Sequence, residues 1–309
     1  MINLFWPVYL NLENELLSLA NVIHIDDKQL DVYSMKISDL LVRTVVEIES
    51  ISKELYLQNG GTIPEEGFLY FDTDCIKLLE DKWLLSKKKV IVSSPMLYFQ
   101  EEADKVLTPL HNAYKRGTSA ADWEKAYQAV KHDRANQLNK GNIKHFIRAL
   151  AALYVLNLYY KDSEIKNIKD VDMSGLNLNF GSAVFSVSMY QLNGISAEGV
   201  CHGRGTSDEH IFVQEYTAET VERVQEGMRS VNNYINENTK EELRVKAELR
   251  IKEGLPVDVD WVREEREKIA QEKKLFPIRD RDVIQKMSNM GNLVSNIVLN
   301  KGQYAHPES

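Results

Sequence analysis

Apolar residues recur at helical spacing through most of the chain. Val8, Leu12, Leu16 and Leu19 mark an amphipathic helix over 8–21. Met35, Ile37, Leu41, Val45, Ile48, Ile51 and Leu55 mark a longer one within 31–57. Asn59-Gly60-Gly61 ends it, because glycine takes the left-handed conformation that closes a helix. Thr62 to Gly67, with Pro64, reads as a loop, and Asp72 or Asp74 as the cap of a short helix over 75–82. Residues 89–93 read as extended, stopping before Pro95, since a residue preceding proline avoids the helical region. Helices are expected over 96–115 and 122–131, separated by Gly117-Thr118-Ser119. Asn142 then opens the most apolar helix, over 143–160, whose Phe146, Ile147, Leu150, Leu153 and Val155 must pack centrally.

The pattern changes after Lys161. Residues 182–190 alternate and are rich in β-branched and aromatic types, which predicts a strand. Asn193-Gly194 is a turn signal and 210–216 a second strand, giving a β-hairpin. Val221, Val224, Met228, Val231 and Ile235 return to helical spacing over 217–252. Gly254 and Pro256 break that helix, Asp258 or Asp260 starts another, and Asp282 caps a last one reaching about Asn300. Asn289, Asn292, Asn296 and Asn300 would form a polar stripe on it, read as a solvent face. The organisation expected is mainly α: a helical bundle over 1–162, a small β-hairpin element over 163–216, and a helical C-terminal extension over 217–309.

Composition narrows the function classes. With 43% hydrophobic and 27% charged residues over 309 positions, the chain can bury a core and is not a disordered segment. No apolar run approaches the roughly 18 residues a membrane span requires; the longest candidate, 146–160, is interrupted by Arg148 and Asn157. The N-terminus lacks a basic region followed by an apolar one, so no signal peptide is visible and a cytoplasmic location, with no membrane partner, is expected. Cys75 and Cys201 are too few for a disulfide framework or a zinc site, and the seven histidines form no metal-ligand spacing. No metal and no cofactor is therefore expected.

Net charge is −8, yet residues 101–150 carry nine Lys and Arg against six Asp and Glu. Within 131–148 stand Lys131, Arg134, Lys140, Lys144 and Arg148 against Asp133 alone, with His132 and His145. A local basic patch on an acidic protein fits a focused anion site, the competing reading being a solvated helix face. Trp123, Tyr127 and Val130–Lys131 fall on one helical face. Lys131, His132, Asp133 and Arg134 follow at the helix end, where the negative end of the dipole favours cations. A histidine beside an arginine has the parts for RNA cleavage without metal: His132 would take the 2′-hydroxyl proton and Arg134 would hold the phosphorane charge. Asp133 would orient either one. The bland reading is a polar network at a helix end.

This stretch resembles the HEPN superfamily of nucleotide-binding helical-bundle proteins. It is most similar to bacterial members in which an aromatic-rich helix ends in a Lys-His-x-Arg element and runs into an Ala/Leu-rich bundle helix. The residues concerned are Trp123, Tyr127, Lys131, His132 and Arg134, followed by Ala149-Leu150-Ala151-Ala152-Leu153, and the likeness covers about residues 30–190. It implies a HEPN-like helical bundle of four or five helices, usually dimeric, acting in nucleotide or RNA chemistry. Many members are metal-independent ribonucleases of toxin–antitoxin or phage-defence systems, which adds a cognate antitoxin or defence partner to the expectation. The family's active element places a His shortly after an Arg. Arg134 and His145 are too far apart for it, whereas Arg204 and His210 keep the spacing but flank a Gly-rich loop.

The sequence thus predicts a metal-independent RNA-cleaving effector, with His132 and Arg134 catalytic and Lys131, Asp133, Lys144, Tyr127 and Trp123 contacting RNA or nucleotide. Its alternatives are a non-catalytic module binding nucleotide, RNA or a partner protein through the same cluster, and a purely structural helical subunit. Lys87-Lys88-Lys89 reads as a solvated turn, and the Cys201-His202 pair as inert loop residues. No phosphate-binding glycine loop, nucleophile elbow or kinase signature is present.

Overall fold

Helices carry most of the chain in a computed structural model, which describes residues 3–161, 178–195, 201–203, 205–276, 278, 280–291 and 293–302. The chain divides into two compact units. The first comprises Met1–Gln191, Gly205–Gln214 and Ile297–Ser309, and the second Leu192–Arg204 with Glu215–Asn296.

In the first unit, helix α1 spans Phe5–Ala20 and α2 spans Met35–Gln58. Ser34 caps α2 by accepting from the Ile37 amide at 3.2 Å. A π-helical turn, Phe71–Ile76, runs into α3, Lys77–Trp83, and α4 is the single turn Glu102–Lys105. Helices α5, Asp122–Gln137, and α6, Ile143–Tyr160, complete the bundle. Asn142 caps α6 through its side chain to the His145 amide. Every residue from Ala149 to Tyr159 is buried, so α6 is the central helix and packs against α1, α2 and α5. That packing takes up inside one chain the apolar surface that would otherwise favour pairing of two copies through this helix.

Short strands close one side of the bundle. Strand β1, Val90–Val92, is flanked by β2, Val106–Leu107, and β3, Phe185–Ser186, both antiparallel to it. The turn before β3 is pinned by the buried carboxylate of Glu13. It accepts from the Tyr9 hydroxyl at 2.6 Å, from the amides of Ala183 and Val184 at 3.1 Å each, and from the Ser182 hydroxyl.

The second unit is built on α7, Ala218–Lys252, whose 35 residues extend roughly 50 Å. Thr217 caps it. Helix α8, Val259–Glu272, starts at the Asp258 cap and returns along α7, joined to it by Lys246–Glu265 at 2.9 Å and Lys273–Glu242 at 3.1 Å. Helix α9, Arg281–Met290, begins at the Asp280 cap and lies against α7 where Gly227 admits the Met290 side chain. A hairpin of β5, Leu192–Ile195, and β6, Cys201–Gly203, completes this unit.

Several expectations are corrected. The hairpin between 182–190 and 210–216 does not form. Strand β4, Met189–Tyr190, runs parallel to β7, Phe212–Tyr216, and the antiparallel hairpin is β5–β6, with Asn193-Gly194 inside a strand. Residues 96–115 hold one helical turn, a strand and turns, because Val106 and Leu107 pair with β1 and Asn112 adopts a left-handed φ of 63°. The last helix stops at Met290. Strand β8, Ser295–Leu299, follows beside β7 and buries Ile297 and Leu299. The expected asparagine stripe therefore dissolves: Asn289 is helical, Asn296 lies in β8, and Asn292 is outside the described residues. Asn300 is buried, donating to the carbonyls of Ser207 at 2.7 Å and His210 at 3.1 Å.

Lys87-Lys88-Lys89 is a clasp, not a solvated turn. Lys87 pairs with Asp208 at 2.7 Å, Lys89 with Glu209 at 2.7 Å, and fully buried Lys88 donates to the Asp208 carbonyl at 2.8 Å. Burial lowers the Lys88 ammonium to about 8. Among the described residues no helix is long and apolar enough to cross a membrane.

Candidate functional site

Helix α5 carries most of the residues singled out in the sequence, and its two ends serve different purposes. Trp123, Tyr127 and Val130 do share a face, and that face is core. Trp123 is 1% exposed and its indole donates to the Pro109 carbonyl at 2.8 Å, so its ring is closed to any base. The Tyr127 ring is buried too, and its hydroxyl end meets Lys131, whose Nζ lies 5.1 Å from the ring centroid. The hydrogen bond from Lys131 to Tyr127 holds the ammonium above its ordinary range.

Beyond Lys131 the helix kinks. Asp133 has φ −146° and ψ 57°, which interrupts the helical ladder, and its carboxylate accepts from Asn136 at 2.8 Å. His132 is exposed, and no hydrogen bond or ion pair joins it to another of the described residues. Arg134 pairs with Asp39 of α2 at 2.8 Å. Asp133 therefore orients neither of them, and the structure ties the guanidinium to a carboxylate instead of bringing it to the imidazole. Lys144 is half-buried at the start of α6, its amide donating to the Leu30 carbonyl at 2.9 Å. His145 Nδ1 lies 2.7 Å from the Lys140 carbonyl, and burial lowers this imidazole below its usual range.

Of the five bases in the run, Arg134 and Arg148 are ion-paired and three lysines are not. Lys131 and Lys140 are exposed and Lys144 half-exposed, and none of the three forms an ion pair with a described carboxylate. Several other cations of this unit are compensated: Lys77 by Asp81, Lys87 by Asp208, Lys89 by Glu209, Arg116 by Asp72, and Arg148 by Asp122 and, at 3.6 Å, Asp104. Arg148, part of the basic run in sequence, lines a cleft of about 440 Å³ with Thr108, His111, Asn112, Asp122 and Lys125.

The N-terminal half of α5 builds a polar cluster that sequence spacing does not announce. Glu124 is 3% exposed with Oε2 lacking a hydrogen bond. Burial, reinforced by the charge of Asp72, raises its carboxyl to about 8. Asp72, on the π-helical turn, is equally buried and accepts from Arg116 Nε at 2.6 Å. Neither Asp72 nor Asp74 caps the following helix: Asp72 bonds the Thr73 amide, and Asp74 reaches back to the Tyr70 amide at 2.8 Å. Arg116 stacks on Tyr70, its Cζ 3.6 Å from the ring centroid. Phe68 stands beside Tyr70 with centroids 6.4 Å apart and is 79% exposed. An open groove of about 720 Å³ runs past both rings to Tyr56, Lys77 and Lys82. The aromatic content of 68–71 was the available signal, but helical periodicity does not weigh exposed rings in a loop.

Of the family-type pair, Arg204 lies outside the described residues. His210 is half-buried with Nδ1 2.9 Å from the Ser188 hydroxyl, and burial lowers its imidazole. The Cys75 thiol is buried and pushed up to about 12, which removes it from thiolate chemistry. Among the described residues no group of His, Cys, Asp and Glu is placed to hold a metal. Compared with known proteins, the chain matches no family model, no curated protein and no solved structure.

Proposed function

We propose that this chain is a non-catalytic helical module that binds RNA or nucleotide, with the basic stretch from Lys131 to Lys144 as its phosphate-contacting surface. The observation that carries this reading is that Lys131, Lys140 and Lys144, which fall within fourteen residues without an opposing acid other than Asp133, form no ion pair with a described carboxylate. A cation without a carboxylate partner is free to exchange its counterions for phosphates, which is the main source of sequence-independent nucleic-acid affinity. The resemblance to HEPN proteins accords with this, since that superfamily includes binding modules as well as ribonucleases.

Binding is favoured over cleavage because a general base needs an orienting partner and a transition-state cation needs a free face. His132 lacks the first and Arg134 is engaged by Asp39. The test is binding of a labelled RNA in EDTA at low salt. Lys131→Ala, Lys140→Ala and Lys144→Ala should each lower the slope of log affinity against log salt by about one. An unchanged slope in all three rejects the surface. RNA breakdown that disappears in His132→Ala would instead establish the ribonuclease reading.

A further inference from the structure

The end of α7 and the turn into α8 leave Val245, Leu249, Ile251, Leu255, Val257 and Val259 exposed. The turn that presents them is held in one shape. Arg250 Nε donates to the Pro256 carbonyl at 2.7 Å, its guanidinium lies 5.1 Å from the Trp261 ring centroid, and the Leu255 amide donates to the Arg250 carbonyl at 3.0 Å. Clustered apolar side chains on an ordered surface mark a contact with another molecule.

The charges around them identify the partner. Helix α8 covers the face of α7 that carries Asn236, Glu242 and Lys246, through Arg266, Lys273 and Glu265. The opposite face is exposed and carries Glu241, Val245, Glu248 and Lys252 in line at helical spacing, with Arg244 on one flank and Leu249 on the other. Lys252 forms no ion pair with a described carboxylate. Arg244 pairs only along its own helix, with Glu241 at 2.9 Å and Glu248 at 3.9 Å, and such exposed pairs hold their side chains loosely. Laying this face antiparallel on itself, about a two-fold axis between residues 246 and 247, makes it complementary throughout. Glu241 of each copy then meets Lys252 of the other, at both ends and about 8 Å from the axis. Arg244 meets Glu248 on one flank, and Val245 meets Leu249 on the other. A surface that matches itself under a two-fold rotation is what pairing of identical chains requires.

We propose that the outer face of α7 binds a second copy of this chain antiparallel, with Val245 and Leu249 as the apolar contact and the Glu241–Lys252 and Arg244–Glu248 pairs fixing the register. The experiment is sedimentation equilibrium of the full chain between about 5 and 100 µM, a range suited to a small interface. Wild type should form a dimer whose fraction rises with concentration. Leu249→Glu and Val245→Glu should each be monomeric throughout, with an unchanged melting temperature because both positions are exposed. Glu241→Lys and Lys252→Glu should each weaken the dimer about tenfold, and the double reversal Glu241→Lys with Lys252→Glu should return it to within about threefold of wild type. A wild type that stays monomeric over this range overturns the pairing, as does a dimer that survives both Leu249→Glu and Val245→Glu. A double reversal that binds no more tightly than the single ones overturns it too.

Discussion

Glu124 makes stability fall as pH rises, and the size of the effect follows from where its carboxyl titrates. Its ordinary value is 4.5 and its value in the folded chain about 8. Between those limits the folded state keeps a proton that the unfolded state gives up, so each pH unit removes about 1.4 kcal/mol of stability. The contribution is harmless below pH 4.5 and, at pH 7, costs roughly 3 kcal/mol. Glu124→Gln preserves shape and polarity but does not titrate. Urea denaturation of both proteins from pH 4.5 to 8 isolates the group, because every other titrating residue is common to the pair. The stability of Glu124→Gln relative to wild type should rise by roughly 3 kcal/mol between pH 4.5 and pH 7. Curves that stay parallel across that range would refute the buried, proton-holding carboxyl and with it the electrostatic coupling of Glu124 to Asp72.

Lys88 acts with the opposite sign in a later window: its folded value of about 8 lies below the ordinary 10.5, so wild type should gain about 3 kcal/mol between pH 8 and 10.5, a gain absent from Lys88→Met in the same denaturation assay. Gly141→Ala should cost about 1–3 kcal/mol, because the added Cβ would stand 2.9 Å from the Ser38 Cα on α2; a melting temperature equal to wild type would contradict that close approach. Trp123→Ala should destabilise by about 3–5 kcal/mol, as loss of a core indole requires, and His132→Ala by nothing measurable in calorimetry, since that ring is exposed.

What was legible in the sequence was the part governed by local rules. Helix α6 was read to its ends because Asn142 is a strong cap and its apolar residues leave no polar face. Helix α7 followed from the helical spacing of Val221, Val224, Met228, Val231 and Ile235, and β1 from a β-branched run stopped by Pro95. The failures are tertiary. Residues 96–115 carry helix-compatible residues whose conformation is set by pairing with β1, and Ser295–Leu299 is a strand because β7 offers an edge. The lysine run looked solvated because its three partners lie about 120 positions away, at Asp208 and Glu209. At the candidate site, the basic residues were visible and their freedom from ion pairs was not. The burial of Trp123 and Tyr127 follows from α5 packing its aromatic face against the bundle, whereas a spacing argument sees only that they share a face.

Strand β8 has a consequence for how the chain is made. Its Ile297 and Leu299 belong to the core of the first unit, and Asn300 pins it there through the carbonyls of Ser207 and His210 and the hydroxyl of Tyr159. During synthesis these residues leave the ribosome after all of α7, α8 and α9. Until then β7 has an uncovered edge of the kind that recruits other strands. The nascent chain thus carries a sticky, unfinished body through the production of some eighty further residues, those from Glu215 to Asn296. A product released before Ile297 would leave that edge of β7 exposed, so β8 is the strand that covers the open side of β7.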